Sequence, residues 1–205
     1  MNNNILNRKN NKVIEEPGFV KVLLSDPRAA LLWLPIRIWL GLQWIDAGSH
    51  KLEDPAWTDG GVALKGFWTR IVQVPDAPAR PAIAFDWYRD FIQFMLDHEA
   101  YVWFSKVVMY GEVLIGIALI IGAFTGIAAF AGGFMNWNFM MAGSASTNPL
   151  LFVAAIGLIL AWKVSGYIGA DYFLLDRLGT PWGQRKSVPK EKVSDVPVPS
   201  TTVGD

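Results

Sequence analysis

The sequence predicts an all-α polytopic membrane protein: a four-transmembrane-helix bundle with an amphipathic outer segment between helices 1 and 2. Three observations predict it. Apolar residues make up 52% of the 205-residue chain. They gather in stretches almost empty of charge, the pattern that arises when lipid replaces water as the solvent. Lys and Arg crowd towards the two tails, a bias that sets the orientation of a multi-pass chain. With a formal net charge of zero and this length, one domain suffices.

Residues 1–28 read as a cytoplasmic N-terminal segment. The polar start MNNNILNRKNNK shows no apolar region followed by a small-residue cleavage site, so the first span serves as its own targeting signal. That span runs over residues 29–48, roughly 20 residues, enough at about 1.5 Å per residue to cross a hydrocarbon core. Residues 49–105 form the outer segment. It carries eight acidic residues against five basic ones, and VALKGFWTRIVQ and FDWYRDFIQFMLDHEAYVWF are aromatic and amphipathic. They are expected to lie at the membrane surface or to extend the second span outward. The intervening VPDAPARPA breaks any longer helix.

The second and third spans, residues 107–124 and 126–143, follow each other closely. The fourth, residues 150–168, comes after Ser144-Ala-Ser-Thr-Asn-Pro149, with Pro149 placed to open a helix where its missing amide donor is not needed. Short connections make these three spans antiparallel neighbours. The spans belong to one membrane domain, residues 29–180, and residues 181–205 have too little apolar content to fold and read as a disordered cytoplasmic tail. Arg8, Lys9, Lys12, Lys21 and Arg28 precede span one, and a second basic group follows span four. Both termini are therefore expected in the cytoplasm, with the chain in the cytoplasmic (inner) membrane.

Chemistry in such a chain is sought at ionisable residues inside the spans, where an unpaired charge costs at least roughly 2.5 to 3.5 kcal/mol. Arg37 on span one and Glu112 on span two qualify. Helical rise puts them about 12 and 16 Å above the inner surface and Asn136 of span three at about 15 Å, which predicts one shared polar layer. It is either a structural clasp or a catalytic, proton-handling site. On span one, Arg37, Gly41, Trp44, Gly48 and Lys51 share a helical face. Asp46, His50 and Lys51 stand at its outer end as candidate substrate or anion ligands, or as side chains reaching into the headgroups.

At these residues the chain resembles the DoxX/DoxD family of small four-helix membrane proteins. The resemblance rests on the ordered set Arg37-x3-Gly41-x6-Gly48-x2-Lys51-Leu52, Gly111-Glu112 with Gly116 and Gly122, Ser146-Thr147-Asn148-Pro149 and Gly169-Ala170-Asp171. DoxD-like members are a membrane subunit of thiosulfate:quinone oxidoreductase. The resemblance thus implies thiosulfate-to-quinone electron transfer, quinone as electron acceptor, and a DoxA-like or other redox subunit as partner. Lipid and quinone are the remaining partners expected, and nucleic acid is not among them. The chain has no cysteine, so it cannot run a dithiol relay on its own residues. His50 and His98 lack a metal-ligand spacing, and neither haem nor metal is expected. The other reading is a non-catalytic membrane anchor or small-solute carrier whose buried polar layer is structural.

Overall fold

The computed structural model describes residues 16–178, and every regular element among them is a helix. The first half of the expected N-terminal segment and the expected disordered tail, residues 181–205, lie outside the described residues.

Helix α1 (Gly18–Ser25) leads through a 3-10 turn (Pro27–Ala29) into α2 (Ala30–Glu53). Asp26 starts the turn by accepting the Arg28 amide at 2.8 Å, and Trp33 ties α1 to α2 by donating its indole N–H to the Leu23 carbonyl at 2.9 Å. At 24 residues, α2 is about 36 Å long. It extends past its expected end at Gly48 because Lys51 is still held within the bundle.

The outer segment folds as α3 (Pro55–Thr58), α4 (Val62–Ile71) and α5 (Asp86–Asp97), with the Pro-rich stretch linking the last two. Leu64, Trp68, Ile71, Ile83, Tyr88 and Ile92 form a core of their own beneath it, against Tyr101 and Ala142. Separate helices cap the bundle, and the second long helix begins at Tyr101, six residues before its expected start at residue 107.

That helix, α6 (Tyr101–Ile121), is among the described residues the one long and apolar enough to cross a membrane. It ends where Gly122 takes φ 69°, a left-handed conformation that only glycine adopts without steric cost. The third long helix, α7 (Thr125–Met141), starts three residues later, and α8 (Asn148–Leu160) opens with Pro149 as the sequence predicts. These two have 17 and 13 residues, about 25 and 20 Å, short of a hydrocarbon core of about 30 Å.

The fourth expected span does not run to residue 168. The helix stops at Leu160, followed by the single turn α9 (Trp162–Ser165) and the short α10 (Asp171–Arg177). The backbone polar groups released there find other partners. Ser165 donates its hydroxyl to the Leu158 carbonyl at 3.3 Å, and Arg37 takes the carbonyls of Ser165 and Ile168.

Helix α2 packs on α6, α6 on α7, α7 on α8, and α8 back on α2. Leu40, Trp44, Leu119, Ala129, Ala155 and Leu158 fill the centre. The backbones of α2 and α6 touch: a Cβ on Gly116 would lie 2.8 Å from the Gly41 carbonyl oxygen. Only small residues permit that approach. Large apolar side chains cover the outside, with Leu114, Ile127, Phe130 and Val153 each more than 60% exposed. Such a surface suits lipid rather than water.

Candidate functional site

The buried ionisable residues form two levels rather than one. At the lower level, Arg37 of α2 is 2% exposed. Its guanidinium donates to the Ser165 carbonyl at 3.0 Å and to the Ile168 carbonyl at 2.8 Å. It also lies against Gly122, where a Cβ would overlap the guanidinium. Asp171 completes the group: its carboxylate accepts the backbone amides of Phe124 and Thr125, the first donors of α7. One arginine thus joins α2, the α6–α7 turn and the segment after α8.

At the upper level, Lys51 Nζ donates to both carboxylate oxygens of Glu112, at 3.0 and 2.8 Å, and to the Ala47 carbonyl at 3.2 Å. The Glu112 side chain is 1% exposed and that of Lys51 21%. The pair answers the desolvation of the carboxylate with a direct opposite charge.

The expected shared layer of Arg37, Glu112 and Asn136 is therefore corrected. Arg37 and Glu112 each have other partners. The reason is register. Gly41 faces Gly116 and Ile120, while Gly48 faces Glu112 and Val113, so antiparallel packing sets Arg37 beside Gly122, about three turns of helix from Glu112. The sequence estimate took α2 and α6 to have level inner ends; instead α6 stops where Arg37 stands, and α2 begins below it.

Asn136 does join Glu112 and Lys51. All three line a cavity of about 590 Å³ between the helical cap and the half of the bundle next to it. Trp44, Trp57, Trp68, Tyr88, Phe91 and Phe139 supply aromatic wall. The rim is polar, with Gln43 and Asp46 on α2 and Ser146, Thr147 and Asn148 leading into α8. Lower down, α2 and α8 close against each other where Trp33 packs on Gly157. Asn136 is 0% exposed, and neither atom of its amide has a hydrogen-bond partner in the protein.

The outer group divides. Asp46 and Lys51 line the cavity; His50 does not, and its Nε2 stands 3.4 Å from Asp46 Oδ1 with both side chains about three-quarters exposed. His98 lies on the cap with its ring against Phe94. Among the described residues no group of His, Cys, Asp and Glu is arranged to hold a metal ion.

Sequence reasoning missed Tyr88. It closes the cavity by donating its hydroxyl to Asn138, 3.2 Å from both the backbone and the side-chain oxygen, and burial raises its phenol above the usual range. The signal available was the aromatic richness of the outer segment, without a register to select one ring. The shared face of Arg37 and Lys51 was legible, but not that its outer end meets Glu112.

The model of the DoxX family matches residues 32–145, more than half of the chain. Among curated proteins, the Probable arabinosyltransferase A of Mycolicibacterium smegmatis is 35% identical over 89 residues, covering 38% of this chain and 8% of that protein. The chain thus spans less than a tenth of the length of that relative. No solved structure matches.

Proposed function

Because this chain belongs to the DoxX family of membrane proteins, we propose that it is the multi-pass membrane subunit of a quinone-linked oxidoreductase. It seats quinone in the outer cavity while a partner subunit delivers electrons from thiosulfate. In this reading α2, α6, α7 and α8 with α9 cross the cytoplasmic membrane, both termini are cytoplasmic, and α3 to α5 cap the outer face.

The observation that carries the proposal is the cavity itself, where aromatic walls meet a buried Lys51–Glu112 pair and the unpartnered Asn136 amide. Its volume lies within the range of about 300 to 1,000 Å³ typical of small-molecule sites. A quinone is a flat ring with oxygen acceptors on its edge, which matches stacking surfaces combined with a few buried donors. When bound, quinone supplies the two-electron sink: two thiosulfate ions and one quinone, with two protons, give tetrathionate and quinol.

The chain's residues would then act on protons and position. Glu112, held by Lys51, is the cavity's buried carboxylate and the group placed to pass a proton. The aromatic wall orients the ring and excludes water. Asp46, His50 and Lys51 support a thiosulfate seat poorly, since Lys51 is neutralised by Glu112 and His50 is engaged by Asp46. Thiosulfate oxidation is therefore assigned to the partner, in keeping with a chain that has no thiol.

The anchor reading is favoured at one place only. Arg37 lies outside the cavity with its charge committed to backbone carbonyls and Asp171, which fits a structural clasp. The test is saturable binding of a quinone analogue to the purified protein in detergent, together with thiosulfate-dependent reduction by the protein and its co-purifying partners. Both are expected, with reduction but not binding impaired in Glu112→Gln. Neither binding nor reduction by intact protein with partners retained removes the proposal.

A further inference from the structure

Burying an amide without hydrogen bonds is unfavourable in proteins, and in a bilayer there is no bulk water to relieve it. Asn136 bears this cost at the wall of the cavity, and it is not alone. Trp44, 2% exposed and also lining the cavity, has an indole N–H with no partner in the protein. The indole lies against α7 at Gly132, where a Cβ would stand 2.9 Å from its nitrogen. Gly132 and Asn136 are four residues apart, on one face of α7 and one turn along it. Two unsatisfied groups, from α2 and α7, thus stand about one helical turn apart on the cavity wall, and the Cα–Cβ bond of Asn136 tilts back toward Gly132. Lys51 and Glu112 satisfy each other and leave this need unmet.

We propose that Trp44 and Asn136 together form the seat for the ring oxygen of the cavity's ligand, and that they set which ring substituents the site accepts. This rests on the quinone reading and deepens it. The two groups differ in what they offer: the indole N–H only donates, whereas the amide donates through Nδ2 and accepts through Oδ1. A carbonyl oxygen uses both donors. A hydroxyl in the same place gives its proton to Oδ1, so the amide serves the oxidised and reduced ligand alike, while the indole favours the oxidised one. Gly132 contributes by leaving room for the indole against α7.

The test is equilibrium binding of a quinone analogue and its quinol to purified full-length protein, without any turnover. Trp44→Phe keeps the ring and removes the donor. Asn136→Leu keeps the volume and removes the amide. Trp39→Phe, on the same helix outside the cavity, is the control. Asn136→Leu is expected to weaken both ligand forms about tenfold, and Trp44→Phe to weaken the quinone about tenfold and the quinol less. Trp39→Phe should bind as wild type, and circular dichroism and the unfolding midpoint identify any variant that has lost its fold. A second pair, Asn136→Ser and Trp44→His, restores a polar group and is expected to recover part of the affinity.

Quinone binding by the wild type that survives both Trp44→Phe and Asn136→Leu overturns this assignment and leaves the quinone reading standing. A gain in thermal stability of Asn136→Leu with unchanged affinity overturns it too, since the amide would then be a buried cost that the ligand does not relieve. A wild-type protein that binds no quinone analogue removes the quinone reading and the assignment with it.

Discussion

Lys51 on α2 and Glu112 on α6 form a bidentate ion pair, the ammonium nitrogen 2.8 and 3.0 Å from the two carboxylate oxygens, beside the point where Gly48 lies against α6. The pair both fastens the two helices and places a carboxylate on the cavity wall. Those roles separate under mutation.

Removing Lys51 alone leaves the Glu112 carboxylate, 1% exposed, without its counter-charge. Breaking one half of a buried pair typically costs about 3 to 5 kcal/mol, whereas replacing both halves by apolar residues is far milder. Lys51→Met is therefore expected to lower stability more than the double variant Lys51→Met/Glu112→Leu. Unfolding of the two in the same detergent checks this, and a double variant that is the weaker of the two would show that the pair's net attraction, not the stranded charge, dominates.

Arg37 should behave as a structural residue. Its planar fork reaches two carbonyls at once, those of Ser165 and Ile168, and the point charge of lysine cannot reproduce that geometry. Arg37→Lys is expected to lose about 2 kcal/mol of stability while retaining wild-type affinity for a quinone analogue, because Arg37 does not line the cavity. Loss of affinity without loss of stability would instead give Arg37 a part in the site.

The close approach of α2 and α6 gives a third expectation. A methyl group at position 116 would stand 2.8 Å from the Gly41 carbonyl oxygen and 2.7 Å from an Ile45 side-chain carbon. Backbone cannot move aside as a side chain can, so the helices must separate. Gly116→Ala is expected to cost roughly 1 to 3 kcal/mol, as overpacking does elsewhere. Gly111→Ala is the contrast, since its nearest neighbour would be the Met135 sulfur at 3.7 Å, and its unfolding midpoint should equal or exceed that of wild type because alanine favours the helix.

How far the sequence reached follows from which forces act locally. The four long helices were legible within a few residues at most ends because apolar runs, Pro149 and the Gly-rich turn are local signals. The stripe from Arg37 through Gly41, Trp44 and Gly48 to Lys51 was legible as one face because helical spacing alone defines it, and that face is buried apart from a partly exposed Lys51. Which residue it meets was not legible, because the vertical register of α2 on α6 depends on the Gly41–Gly116 contact, and an error of about three helical turns there separates Glu112 from Arg37 and brings it to Lys51. The break after Leu160 escaped for a related reason: the run to Ile168 is apolar apart from Lys163 and Ser165, and what permits an irregular backbone there is an arginine more than 120 residues earlier. The cavity needed three helices of the cap and the bundle at once, and no local pattern encodes such an assembly.

Topology offers the last prediction, and the absence of cysteine from the chain makes it direct. The acidic balance of the segment after α2 and the basic residues before it predict that α4 lies outside and α10 inside. Thr69 on α4 and Asp176 on α10 are both exposed, so single Thr69→Cys and Asp176→Cys variants report each side without disturbing the core. A membrane-impermeant maleimide applied to intact cells is expected to label Thr69→Cys at once and Asp176→Cys only after permeabilisation. The pattern depends on an odd number of crossings between the two positions. With α6, α7 and α8 all spanning the number is three; if α8, at 13 residues, folded back without crossing, both cysteines would be labelled from outside. That result would keep the family and the cavity but reduce the bundle to three crossings and place α10 outside with the cap.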